Sequence, residues 1–230
     1  MFKLLPIEVF NGGFSGSLFF LVVLILRLLI IKPKLKISFD NQSEDLQRDV
    51  AWFNSSGVMV TRNSWLRMRI KNLGMVKLNN PRVFCLEVVP VVDGKKIMQS
   101  ITPFELKWAE SASSGEIGII LPGCYDYRFD LLYLNWQPAQ LDQFYFARKD
   151  SVSGRGFLTG MQHQVRLAIV NDNLLVPDHI VDLVVDVNVT DVTKVPSESG
   201  VTFEARVLHQ GSRVTVRIKE LISSLKALCL

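Results

Sequence analysis

Residues Ile180–Val192 read IVDLVVDVNVTDV, an alternation with a period of two. Val181, Leu183, Val185, Val187 and Val189 fall on one side; Asp182, Val184, Asp186, Asn188 and Thr190 fall on the other. Successive side chains of a strand point to opposite faces, whereas a helix returns to the same face every ~3.6 residues, so this stretch buries one side only as a strand. Trp65–Lys71 (WLRMRIK) repeats the pattern, setting Leu66, Met68 and Ile70 against Trp65, Arg67, Arg69 and Lys71, with a turn expected at Asn72-Leu73-Gly74. Lys34–Phe39 alternates as well. Val83–Val92 is almost continuously apolar and is expected in the middle of a sheet, followed by a hairpin turn at Asp93-Gly94.

Further strands are expected over Phe104–Trp108, Ile117–Leu121, Asp126–Leu134, Gln143–Arg148, Gln164–Val170, Val201–Leu208 and Arg213–Ile218. Residues 40–56, with Asp40, Glu44, Asp45 and Asp49, read as a loop or short helix. About ten short strands separated by turn signals, with no helical pattern between them, predict a mainly β protein: an antiparallel β-sandwich rather than a doubly wound α/β fold. One soluble helix is expected at the end of the chain, where Leu221, Ile222, Leu225 and Leu228 recur at helical spacing. It is expected to pack on the sandwich, the alternative being the membrane surface. The resulting organisation is 1–36 for an anchor and its basic flank, 37–211 for the sandwich, and 212–230 for a final strand and an amphipathic helix.

The anchor is Phe14–Ile31, FSGSLFFLVVLILRLLII, in which Arg27 is the one charge among 18 residues. As a helix it would extend about 27 Å, close to the roughly 30 Å of a bilayer's hydrocarbon core. The nine consecutive apolar residues Leu18–Leu26 leave no polar face for water, which argues against a helix of a soluble core. A cleaved signal peptide needs small residues after the apolar stretch, and Lys-Pro-Lys-Leu-Lys follows instead. Arg27, Lys32, Lys34 and Lys36 are assigned to the membrane interface. Positive residues are retained on the cytoplasmic side, so the body of the protein is expected in the cytoplasm. Three cysteines with no disulfide-scaffold spacing agree with a reducing compartment, while glycosylation-type triplets at Asn41, Asn54 and Asn188 point the other way.

Charge and motifs narrow the function by exclusion. The chain carries 26 Lys+Arg and 22 Asp+Glu; residues 1–36 hold five of the former and one of the latter, so the body has 21 of each. A neutral body lacks the phosphate-neutralising charge of a nucleic-acid-binding domain. No Walker loop, dinucleotide fingerprint, H-E-x-x-H or G-x-S-x-G occurs, and none of the three histidines, His163, His179 and His209, sits in a nucleophile motif. Cys124, in a Leu-Pro-Gly-Cys-Tyr turn, is read as an ordinary reduced thiol. Asp182, Asp186, Asn188 and Asp191 supply oxygens, but a flat strand face does not wrap a calcium ion. No enzyme activity, cofactor or metal is therefore expected.

Charge is segregated along the chain. Between Asp49 and Glu87 lie Arg62, Arg67, Arg69, Lys71, Lys77 and Arg82 with no acid, whereas residues 172–204 hold seven acids and Lys194. Either these basic and acidic strands neighbour each other, or each is solvated. The sharper expectation makes Trp65, Arg67, Arg69 and Lys71 a contact face for a protein partner or anionic lipid.

The stretch Trp65–Lys71 with Asn72-x-Gly74, then Asn80-Pro81 before Phe84-Cys85-Leu86, then Leu106-x-Trp108 and Ile120-Leu121-Pro122-Gly123 resembles bacterial membrane-anchored proteins with an immunoglobulin-like β-sandwich. The resemblance spans residues 65–123. It implies fold and anchoring and carries no catalytic residue over.

Overall fold

A computed structural model describes residues 34–40, 45–53, 55–97, 101–109, 117–123, 125–136, 141–150, 155–172, 178–190 and 200–212. The apolar run Phe14–Ile31, Arg27, Lys32, Cys124, Asp191 and the C-terminal segment Arg213–Leu230 lie outside the described residues. No helix among the described residues is long and apolar enough to cross a membrane. The protein is mainly β, with antiparallel pairing throughout the described sheets.

The first sheet is six-stranded. It contains β1 (Leu35–Ser38), β2 (Leu46–Phe53), β3 (Met59–Asn72), β9 (Tyr127–Asn135), β10 (Gln143–Phe146) and β11 (Phe157–Leu158). The order is β1-β3-β9-β10-β11, with β2 also on β3. Residues 40–56, expected as loop or short helix, contain β2. Asp45 immediately precedes this strand and Asp49 lies within it, and its register runs from Leu46↔Leu66 to Phe53↔Met59. β1 takes the other part of the same edge, from Leu35↔Asn72 to Ser38↔Arg69. β1 and β2 thus lie end to end along β3, with Asp45 at their junction.

The second sheet is also six-stranded. It contains β5 (Arg82–Val92), β6 (Lys95–Lys96), β7 (Phe104–Glu105), β12 (Gln162–Val170), β13 (His179–Val189) and β14 (Val201–Ser212), in the order β14-β13-β12-β5-β6 with β7 also on β5. β4 (Leu78–Asn79) and β8 (Ile119–Ile120) form a two-stranded sheet. The expected hairpin at Asp93-Gly94 is present: β5 and β6 pair through Val92↔Lys95, and both turn residues have positive φ, 49° and 72°. That is the mirror-image turn whose twist matches two flanking strands, and Asp and Gly are among the residues that tolerate it. β14 runs unbroken through Gln210-Gly211 to Ser212, where the sequence suggests a gap after Leu208.

The burial follows the alternation. Leu66, Met68 and Ile70 of β3 and Val181, Leu183, Val185 and Val187 of β13 are all fully or almost fully buried, and they join one core with residues of both six-stranded sheets. Each such side chain withdrawn from water stabilises the fold by roughly 1.5–3 kcal/mol. The segment 104–109 ties the sheets together. Phe104 and Glu105 pair with β5, after which Leu106 bridges Arg148 and Trp108 bridges Phe129 in the first sheet. Trp108 is buried edge-on to Phe129 (centroids 6.1 Å) and donates its Nε1–H to the Pro81 carbonyl at 3.0 Å. On the opposite side, the Ile37 amide of β1 donates to Gln210 Oε1 of β14 at 2.9 Å.

Candidate functional site

The predicted contact residues Trp65, Arg67, Arg69 and Lys71 do share one side of β3, opposite the buried Leu66, Met68 and Ile70. Their cross-strand neighbours were not foreseen. Trp65 lies beside Tyr133 (centroids 4.9 Å), and Tyr133 stacks on Tyr145 of β10 (5.6 Å), so an aromatic row crosses three strands. Burial and the neighbouring Tyr145 push the Tyr133 phenol above its ordinary pKa.

Below that row the face is a ladder of ion pairs. Arg67 Nε donates to Asp130 Oδ1 at 2.7 Å. Burial pushes the Asp130 carboxyl above the usual carboxylate range, and Arg67 offsets only part of that rise. The next rung centres on Asp45, which is fully buried. Its Oδ1 accepts from Arg69 Nε at 2.7 Å and Arg128 Nε at 3.3 Å, its Oδ2 accepts from the Asp40 amide at 2.9 Å, and its carbonyl accepts from the Arg67 amide at 2.7 Å. The hydrogen bond to Asp45 raises the Arg69 pKa further, so that guanidinium stays charged. The last rung joins Lys71 Nζ to Asp126 at 3.5 Å.

The basic and acidic segments distinguished in the sequence meet at Asn80 and Asp172, beside Arg82, whereas the cations of β3 and the acids of β13 are paired within their own sheets. Acids from the β1–β2 junction and the β9 region offset the β3 cations. On β13, both Asp182 oxygens accept from Arg166 of β12, at 2.7 and 3.2 Å, and Asp186 accepts from Asn188 at 2.7 Å. Those oxygens are engaged, and no group of three or more metal-ligating side chains occurs among the described residues.

The histidines are placed apart. His163 is buried edge-on to Phe144 and Phe157 (5.1 and 5.7 Å), His179 is buried at the start of β13, and His209 is exposed on β14. Burial lowers the pKa of both buried rings, that of His179 to about 4. Cys85 is a free thiol in the core whose pKa burial drives up, the opposite of an activated nucleophile.

A half-open cleft of about 400 Å³ lies beside β4, β8 and the start of β5, with Arg82, Glu105, Lys149 and Asp172 in its wall. Lys149 pairs with Glu105 at 3.1 Å, Asn80 Nδ2 donates to Asp172 at 2.7 Å, and the Arg82 guanidinium lies 5.6 Å from the Phe84 ring centroid.

Two exposed apolar groups escaped the sequence reading, one at each end of β3. Phe53, Val58, Met59 and Val60 form the β2–β3 hairpin tip. Leu73, Met75, Ile119, Leu121 and Tyr125 form the other end. The first group had a signal: Ser55-Ser56-Gly57 followed by Val58-Met59-Val60 is a turn before an apolar run. The second had none, because its members are brought together only by pairing of β4 with β8.

No protein-family model matches the chain, and no curated protein matches it in sequence.

Proposed function

We propose that this chain is a single-pass membrane protein whose two six-stranded sheets make an immunoglobulin-like β-sandwich, and that the sandwich is a protein-interaction module at the cytoplasmic face of the membrane. The apolar run Phe14–Ile31 is the anchor, and Lys32, Lys34 and Lys36 set the orientation. Both sheets contribute to a single core, as the layers of a sandwich do.

The observation that carries the interaction reading is the β2–β3 hairpin. Contiguous exposed apolar patches larger than roughly a few hundred Å² are uncommon on monomeric proteins and mark interaction sites. Here Phe53 and Met59 are direct cross-strand partners at the tip, and Val58, next to Met59, is 60% exposed. Among the described strands β2 pairs with β3 alone, so its outer backbone edge can receive a partner's strand. Trp65 and Tyr145 continue the surface toward β10, with Arg67 and Arg69 bracing it and the 42%-exposed Lys71 at its basic end.

The test is a photoreactive residue at Met59 of the full chain in its native membranes, with topology reporters after Leu230. One defined adduct from a cytoplasmic domain, lost on Val60→Asp, is the expected result. Absence of any adduct at Met59 overturns the interaction surface. A reporter active outside overturns the orientation in favour of an extracytoplasmic binding or envelope-structural domain.

A further inference from the structure

β1 begins where the apolar run of the sequence has just ended, and Lys34, just ahead of it, is fastened to one end of the fold. The Leu73 amide donates to the Lys34 carbonyl at 2.7 Å. Ile31 precedes Lys34 by three residues, and three residues of fully extended chain reach no more than about 11 Å. If Ile31 closes a membrane span, the end of the fold that carries Leu73 lies within that distance of the hydrocarbon. The headgroup layer is itself roughly 5–8 Å deep on each side.

That end is built from backbone segments held to one another. Buried Asn72 accepts the Gly74 amide on its Oδ1 at 3.0 Å, donates Nδ2 to the Val76 carbonyl at 2.7 Å, and receives the Gly123 amide on its own carbonyl at 2.7 Å. Gly123 has φ +70°, a conformation that costs glycine little. Asn72 therefore clamps the loop after β3 to the loop after β8, and the pair Leu78↔Ile120 holds them together further on. On this rim Leu73, Met75, Ile119, Leu121 and Tyr125 are exposed, Met75 to 84%.

Basic side chains surround them. Lys34, Lys36 and Lys77 are exposed. Lys36 stands directly opposite Lys71 in the β1–β3 register, and two like charges so placed repel in water. Asp126 offsets Lys71. An anionic surface beside the rim would offset the rest.

We infer that this rim docks into the bilayer: Leu73, Met75, Leu121 and Tyr125 enter the headgroup layer beside the anchor while Lys34, Lys36 and Lys77 meet anionic lipid. The inference rests on the anchoring proposed above and goes beyond it. A tethered domain would tumble on its linker, whereas a docked one holds β3 at a defined attitude. The β2–β3 hairpin then stands away from the membrane, since a 14-residue strand extends about 46 Å. Tyrosine and lysine suit this depth, because one keeps an apolar ring and a polar tip and the other reaches headgroups with a long apolar stem.

The test uses the full chain in vesicles of phosphatidylcholine with phosphatidylglycerol. A bimane label is placed at Met75→Cys or, for comparison, Met59→Cys, with Cys124→Ser and Cys229→Ser in both. Buried Cys85 is shielded from labelling. Headgroup-level nitroxide lipid is expected to quench the label at position 75 several-fold more than at 59, and aqueous iodide to do the reverse. Adding Leu73→Asp and Leu121→Asp to the Met75→Cys protein is expected to abolish the lipid quenching while the protein still floats with vesicles and keeps its β circular dichroism. Equal lipid quenching at both positions in floating vesicles overturns the docking and leaves the anchor standing. Failure of the unmodified chain to float overturns both. Protection from iodide without lipid quenching also overturns the docking, since a second copy or another part of the chain then covers the rim.

Discussion

Each six-stranded sheet buries an ionisable group at the beginning of a strand, and the two solve the problem in opposite ways. In the first sheet Asp45, just ahead of β2, has Arg69, Arg128 and the Asp40 amide gathered around both its oxygens. In the second, His179, at the start of β13, has no hydrogen-bond partner for its Nε2, and burial lowers its pKa to about 4. Burial is met by neighbouring opposite charge at Asp45 and by a lowered pKa at His179, because desolvation penalises only the charged form. The first sheet thus sets cations around its buried carboxylate, whereas the second packs its buried imidazole without a charged partner.

The strongest way to break this contrast is Asp45→Ala. It leaves Arg69 and Arg128 facing each other across β3 and β9 without their shared carboxylate. A loss of about 3 kcal/mol is expected in urea unfolding of the detergent-solubilised full chain, in the range for removing one partner of a buried pair. His179→Leu at neutral pH should cost far less, since no partner is deprived.

Lowering the pH acts on the histidine side of the contrast and makes His179→Leu less costly still. The folded pKa of His179, about 4, lies below the ordinary value of 6.5, so protonation favours the unfolded chain. The stability associated with neutral His179 is complete above pH 6.5 and is lost as pH falls through 4. His163 is shifted in the same direction and adds to the slope. A decline on the order of 2–3 kcal/mol between pH 6.5 and 4 is expected, at 1.36 kcal/mol per unit of pKa difference. A thermal-unfolding series across that range, with His179→Leu showing the shallower dependence, checks it.

A smaller difference separates two cross-strand Arg–Asp pairs of similar length. Arg67–Asp130 is 18% and 8% exposed, whereas Arg166–Asp182 is 36% and 16% exposed. Arg67→Ala should cost about 2 kcal/mol, because it strands the carboxylate that burial already disfavours. Arg166→Ala should cost under about 1 kcal/mol, since water reaches that pair. Equal losses in the two unfolding curves would remove the distinction between the sheets.

The strands whose alternation is clean were legible in the sequence, faces included: β3 buries Leu66, Met68 and Ile70, and β13 buries Val181 to Val187 as their spacing requires. β2 was not legible. Its polar content, Gln47-Arg48-Asp49, reads as loop by local preference, and pairing with β3 overrides that preference. That Trp65, Arg67, Arg69 and Lys71 share one side of β3 was legible, and what surrounds them was not. Trp65 acquires Tyr133 and Tyr145 as neighbours, and Arg67 and Arg69 spend much of their charge on Asp130 and Asp45.

By itself, then, the sequence determined the class of fold, the inward side of each regular strand, the hairpin at Asp93-Gly94 and the apolar run ahead of β1. All of these depend on residues within a few positions of one another, through the period of the strand, the φ demanded by a turn, or continuous hydrophobicity. Tertiary structure alone decided the passage of residues 104–109 between sheets, the carboxylate that answers each arginine, and the apolar rim beside Lys34. Those depend on strand register: Arg67 finds Asp130 across 63 residues of chain, and Ile37 finds Gln210 across 173. A one-residue slip in pairing turns every side chain of a strand to the other face, so no reading of composition along the chain can supply what the register provides.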